Sequence, residues 1–188
     1  MSKVAIQGDP SGSGTFTIAS PNSNSNFTLT LPANTGTVLT TGSTFAGTGP
    51  AFSAYAATTT SVTSNTWTKI AMNTEVFDTN TCYDPTTNYR FTPNVAGYYH
   101  IEAGAASAAD GGFAGGTVSI YKNGVGYRYS EKVAGTNTID WARTSGLIYL
   151  NGTTDYVEAY INVVGSNNPY YFTSTTLTFF EGFLARAA

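Results

Sequence analysis

The last strand-like run of the chain, Thr176 to Leu184, carries large apolar side chains at both phases of a two-residue alternation. In an extended strand Leu177, Phe179 and Phe183 point to one side, while Phe180 and Leu184 point to the other. A half-buried strand of a monomeric sheet needs only one apolar face. The second apolar face therefore calls for a further layer or a partner subunit, and alternation alone leaves open which face serves which purpose.

With 188 residues and 41% hydrophobic content, the chain can build one full-sized domain core and a smaller appendage. Only 10% of its residues are charged, against the ~25% usual in soluble domains. Thr, Ser, Asn and Gly take their place, which favours strands and turns. The net charge is −3 and the eight basic residues are scattered from Lys3 to Arg186, so a nucleic-acid partner is not expected. The start, Met1 to Ala5, lacks a signal-peptide core, and no apolar run reaches the ~18 residues of a membrane span. Neither a membrane span nor secretion by a cleaved signal is expected. Cys82 is the single cysteine, which leaves no internal disulfide and no cysteine-based metal site.

Residues 1–41 contain no Tyr, Trp or His and only Lys3 and Asp9 as charges. Short alternating runs at Thr15–Ile18, Phe27–Leu31 and Thr37–Thr40 read as strands, separated by turn clusters around Asp9-Pro10, Ser20-Pro21-Asn22 and Pro32-Ala33-Asn34. So small a sheet is marginal alone, and the segment reads as an anchor needing a partner. Residues 42–50 read as a Gly/Thr linker. From Ala51 on, about ten strand-like segments recur without a helical period, the pattern of an antiparallel sandwich or jelly roll. Asn123-Gly124 is its strongest hairpin signal. In the strand from Tyr98 to Ala105, the set Tyr99, Ile101, Ala103 and Ala105 is assigned to the core.

The order of residues then becomes recognisable. Phe52-Ser53-Ala54, Val76-Phe77-Asp78, Tyr83-Asp84, Tyr89-Arg90-Phe91-Thr92-Pro93 and Gly97-Tyr98-Tyr99 occur in sequence. Ser119 to Gly124, Leu150-Asn151-Gly152, Asp155-Tyr156-Val157 and the closing Phe179-Phe180-Glu181-Gly182-Phe183-Leu184 follow. Over residues 51–188 this series resembles the trimeric jelly roll of the C1q-like and TNF-like superfamily. The resemblance implies an all-β fold, a ten-stranded antiparallel jelly-roll sandwich behind a small β-rich N-terminal anchor. It also implies packing around a threefold axis, with aromatic residues in the subunit interface. Phe179, Phe180, Phe183, Leu184 and Tyr99 are the residues assigned to trimer interface or core. No Gly-X-Y repeat precedes the domain.

Gly14 to Asn22, Leu29 to Pro32 and Thr35 to Thr41 resemble the Thr/Asn-rich modules near the N-termini of bacteriophage tail-fibre and other virion proteins. The resemblance implies a virion-surface protein, anchored on capsid or tail proteins through residues 1–47 and presenting a homotrimeric knob outward. The expected role is a short head fibre, a capsid decoration or a tail-fibre tip. Its expected host partner is a surface glycan or protein, with Tyr170 and Tyr171 beside Asn167-Asn168-Pro169 as loop contacts.

Catalytic chemistry has thin support in the residues, and no enzyme activity and no cofactor are expected. His100 is the only histidine and shares a strand face with Glu102. Asp78 with Asp84, or Asp155 with Glu158, provides the carboxylate pairs that a polysaccharide-degrading appendage would use. Turn geometry accounts for Asp84 before Pro85, and for Asp155 after Asn151 to Thr154, more directly than catalysis does. No metal ligand is assigned, because Asp78, Asp84 and Asp110 lack the spacing of a calcium loop. A bacterial C1q-like adhesin is the other alternative.

Overall fold

The computed structural model describes residues 10–15, 17, 19, 22–26, 28, 49–131 and 139–188. Two compact units divide the chain, Met1–Val38 and Leu39–Ala188. In the first, the described residues are exposed and turn-like, with Ser25 N donating to Ser23 Oγ at 3.1 Å. Most of the three strands and the linker expected before residue 50 lie outside the described residues.

The second unit holds thirteen strands and no helix among its described residues. They are β1 (Ala51–Ala56), β2 (Thr60–Ser61), β3 (Thr68–Lys69), β4 (Thr74–Asp78), β5 (Tyr83–Asp84), β6 (Arg90–Phe91) and β7 (Ala96–Gly111). Then follow β8 (Gly115–Lys122), β9 (Val125–Tyr129), β10 (Asp140–Asn151), β11 (Val157–Val164), β12 (Asn167–Tyr171) and β13 (Ser174–Ala187). The excess over the expected ten comes from fragments, since β2, β3, β5 and β6 are two residues each.

The terminal alternation is realised in β13, which pairs antiparallel with β1 on one edge and β7 on the other. The front sheet runs β2-β12-β7-β13-β1-β4, and β10 pairs with β7 as well. Ser107 of β7 pairs with both Asp140 of β10 and Tyr171 of β12, so these strands occupy opposite edges of β7. The back sheet runs β5-β6-β11-β8-β9, with β3 also on β11.

Between the sheets, β13 contributes Phe180 and Leu184, β7 contributes Tyr99, Ile101, Ala103 and Ala105, and β10 contributes Ile148 and Leu150. They face Val118, Ile120, Val157, Ala159 and Ile161 of the back sheet. The Phe52 ring stacks on Phe91 at 4.3 Å and on Tyr83 at 5.0 Å, and meets Phe180 edge-on at 5.0 Å. Two phenols reach this core without stranding their hydroxyls: Tyr83 donates to the Met72 carbonyl at 2.9 Å and Tyr99 to the Val95 carbonyl at 2.7 Å. Gly182 is required between Phe180 and Leu184, because a Cβ there would lie 2.7 Å from the His100 carbonyl oxygen.

Asn123-Gly124 closes the β8–β9 hairpin with φ of 51° and 79°, the left-handed pair that a two-residue turn needs. The segment Asn167–Tyr171, expected to be a loop, is instead strand β12. Local rules read its Asn-Asn-Pro as a turn, but β7 is long enough to offer it a free edge beyond β13. Tyr171 is consequently 1% exposed, and its hydroxyl accepts a hydrogen bond from Ala71 N at 3.2 Å. It is a core residue and not a surface contact, whereas Tyr170 remains half-buried beside Phe172.

Phe180 is fully buried in the aromatic cluster. Phe180→Ala is expected to lower the unfolding free energy by about 3–5 kcal/mol in urea denaturation; a loss below about 1 kcal/mol would be incompatible with this packing.

Candidate functional site

Alternation puts one face of the front sheet inside and leaves the other uncovered. On that outer face stand Phe179, Glu181 and Phe183 of β13, Tyr98, His100 and Glu102 of β7, and Trp141, Arg143, Leu147 and Tyr149 of β10. Phe77 of β4 joins them opposite Ser53. The register lines up Ala51, Phe183, His100 and Leu147 across four strands. One row further along lie Ser53, Glu181, Glu102 and Ser145.

Much of this face is apolar and open to water: Trp141 is 63%, Leu147 58% and Phe183 52% exposed. Tyr98 and Tyr149 meet edge-on at 5.5 Å, and the His100 ring lies 5.5 Å from Phe183. A depression of about 360 Å³ opens among Ala51, Phe77, His100, Glu102, Glu181 and Phe183. Exposed apolar side chains grouped in this way make the face a candidate interaction surface.

Of the residues assigned to interface or core, Phe180, Leu184 and Tyr99 are buried inside the sandwich, while Phe179 is half-buried and Phe183 exposed on the outer face. Leu147 and the Glu102–Glu181 pair escaped the sequence reading. A signal was present, since Leu147-Ile148-Tyr149-Leu150 is apolar at both phases just as the terminal run is.

The carboxylates considered for catalysis have structural partners. Asp78 accepts hydrogen bonds from Asn80 N and Tyr83 N, and Asp84 from Thr86 N, Thr87 N and Asn88 N. The amides of Thr87 and Thr86 hold the Asp84 carboxyl well below the usual carboxylate range. Asp155 accepts from Asn123 Nδ2 at 2.8 Å and pairs with Lys122 at 3.0 Å, and these contacts lower its pKa. Glu158, 2% exposed, receives Lys69 at 2.7 Å and Arg90 at 3.0 Å. His100 and Glu102 do share the outer face, where His100 lies against Phe183. The buried Cys82 thiol is pushed up in pKa by desolvation, and burial raises Tyr99 to about 12. No group of three or more His, Cys, Asp or Glu is placed to hold a metal among the described residues.

No protein-family model and no curated protein matches the sequence. Solved structures do match by shape. The globular domain of a zebrafish complement 1qA protein is 18% identical with a TM-score of 0.51, covering 74% of this chain and 99% of that one. Murine APRIL at pH 5.0 is 14% identical with a TM-score of 0.53, over 71% and 97% of the two chains. This is the C1q/TNF jelly-roll fold. An Eiger TNF structure from S. frugiperda, 8% identical at a TM-score of 0.50 over 74% and 93%, agrees. At these identities the likeness establishes the architecture of the C1q/TNF-like domain, and its surfaces must be read from its own residues.

Asp155 has a folded pKa below its unfolded value of 3.8. The stability it lends is therefore present above that value and drains away as pH falls through the folded value. Asp155→Asn is expected to lower the urea midpoint at pH 7 and to differ less from the native chain near pH 3; an equal difference at both pH values would refute the linkage.

Proposed function

We propose that the chain is a non-enzymatic structural protein of a bacteriophage particle. Its C1q/TNF-like domain forms a homotrimeric knob, and residues 1–47 attach it to other capsid or tail proteins. The observation that carries the trimer is the uncovered front-sheet face, where Phe77, Tyr98, Leu147, Tyr149 and Phe183 are all exposed. C1q-like and TNF-like domains assemble as trimers, which gives such a face its occupant. The virion placement is supported by the Thr/Asn-rich phrases between Gly14 and Thr41, a stretch without a charged residue.

A threefold knob carries three copies of any outer surface, so weak contacts with a bacterial glycan or protein add up through avidity. Tyr170 is the remaining candidate for such contact from the β12 region. The back sheet offers another aromatic surface, in which Tyr121 stacks on Tyr160 at 3.8 Å and Trp67 abuts Tyr121 and Tyr129.

Light scattering of the purified chain is expected to give three times the subunit mass of 19.7 kDa. Phe183→Asp is expected to yield a folded monomer, because that side chain is outside the core. A native monomer at micromolar concentration would refute the trimer. Antibodies against residues 51–188 are expected to decorate purified phage particles; labelling confined to the bacterial envelope would instead identify an adhesin.

A further inference from the structure

Glu102 and Glu181 stand directly opposite each other in the β7–β13 register, an arrangement in which like charges destabilise one another. Their compensation within the subunit is slight. Ser53 Oγ donates to Glu181 Oε2 at 3.3 Å, and Arg143 Nη1 lies 3.8 Å from Glu102 Oε1 with its side chain 68% exposed. Both carboxylates line the depression whose other walls include Ala51, Phe77 and Phe183. Such a basin fits a side chain with an apolar stem and a cationic head.

That side chain exists on the opposite flank of the same domain. Among the described residues β9 pairs only with β8, and β10 only with β7, so this flank presents two open strand edges. Exposed on it is Arg128, whose Nε lies 3.1 Å from where a Cβ on Gly146 would sit and whose guanidinium is 5.7 Å from the Tyr127 ring. Val125, Tyr127 and Tyr129 around it are exposed as well. Lys69 and Arg90 are committed to Glu158, and Lys122 to Asp155. Arg128 and Arg186 make no ion pair among the described residues, and Arg186 stands on β13, the strand that carries Glu181 itself.

We infer that Arg128 of one subunit enters the depression of the next and lies between its Glu102 and Glu181. The contact rests on the trimeric reading above and specifies how the subunits meet. A closed ring of head-to-tail contacts uses two different surfaces on each subunit. Here one is an acidic basin and the other a basic edge, and both are rimmed by exposed apolar side chains. The guanidinium fork can serve two carboxylates at once, and its arrival relieves the Glu102–Glu181 repulsion when water is excluded. The occupant is a second copy of this chain because the matching cation and its aromatic surround are carried by the chain itself.

Sedimentation velocity on the full chain tests the contact with the variants Arg128→Glu, Glu181→Arg and their combination. The native chain sediments as a trimer. Arg128→Glu raises the trimer dissociation constant by about 30-fold or more, with the β-sheet circular dichroism and thermal transition of a folded subunit. The double variant, with the charges exchanged, recovers much of that loss. A native monomer would overturn the trimeric reading itself. A native trimer that Arg128→Glu leaves intact, or dissociation that the exchange does not rescue, would overturn the Arg128 contact while leaving the trimer standing.

Discussion

The ring of Phe52 lies flat against Phe91 and Tyr83 of the back sheet and meets the edge of Phe180 beside it in the front sheet. This cluster couples the two sheets where β1 and β13 pair, and Tyr99 extends it through an edge-on contact with Phe91 at 5.6 Å. Aromatic groups bury much surface with few rotatable bonds, so they suit a core that must set a spacing as well as exclude water. With Phe180 committed inward, the period of two leaves Phe179 and Phe183 no choice but the other face. The uncovered outer face of the front sheet is thus a geometric consequence of the core.

Charge is scarce in this chain, and about half of the charged side chains among the described residues tie loops and edges to the sandwich. Asp155 joins the corner after β10 to the β8–β9 turn through Asn123 and Lys122. Glu158 fastens β3 and β6 to β11 through Lys69 and Arg90, which is how two-residue strands keep their places. Against this background the facing Glu102 and Glu181 stand out, because their contacts inside the subunit are few and long. Electrostatic complementarity fixes the register and choice of partner more than it adds affinity. An acidic basin and a basic edge on one domain would therefore orient an assembly that apolar contacts hold together.

The all-β sandwich, the Asn123-Gly124 hairpin and the inward set on β7 were legible from alternation and turn chemistry, since each depends on residues near one another in the chain. The turn roles of Asp84 and Asp155 were legible for the same reason. Strand β12 was not, because Asn-Asn-Pro is a turn signal that yields only when a long neighbour offers an edge, and so Tyr171 was misplaced to the surface. The two apolar faces of β13 were visible as a pattern without a direction. Nothing in Thr176 to Leu184 says that Phe180 and not Phe183 meets Phe52.

The sequence by itself determined the class of fold and the presence of apolar side chains on both faces of the terminal strand, because both follow from a period of two and the placement of turn residues. The tertiary structure decided which face is the core, and it brought Glu102 beside Glu181 and put Arg128 on the opposite flank. These relations join residues far apart in the chain, 79 positions in the case of Glu102 and Glu181, and they are created by strand register and sheet packing. A one-residue slip of β13 would exchange its inner and outer side chains, which is why alternation could pose the question of the second face and only the folded register could answer it.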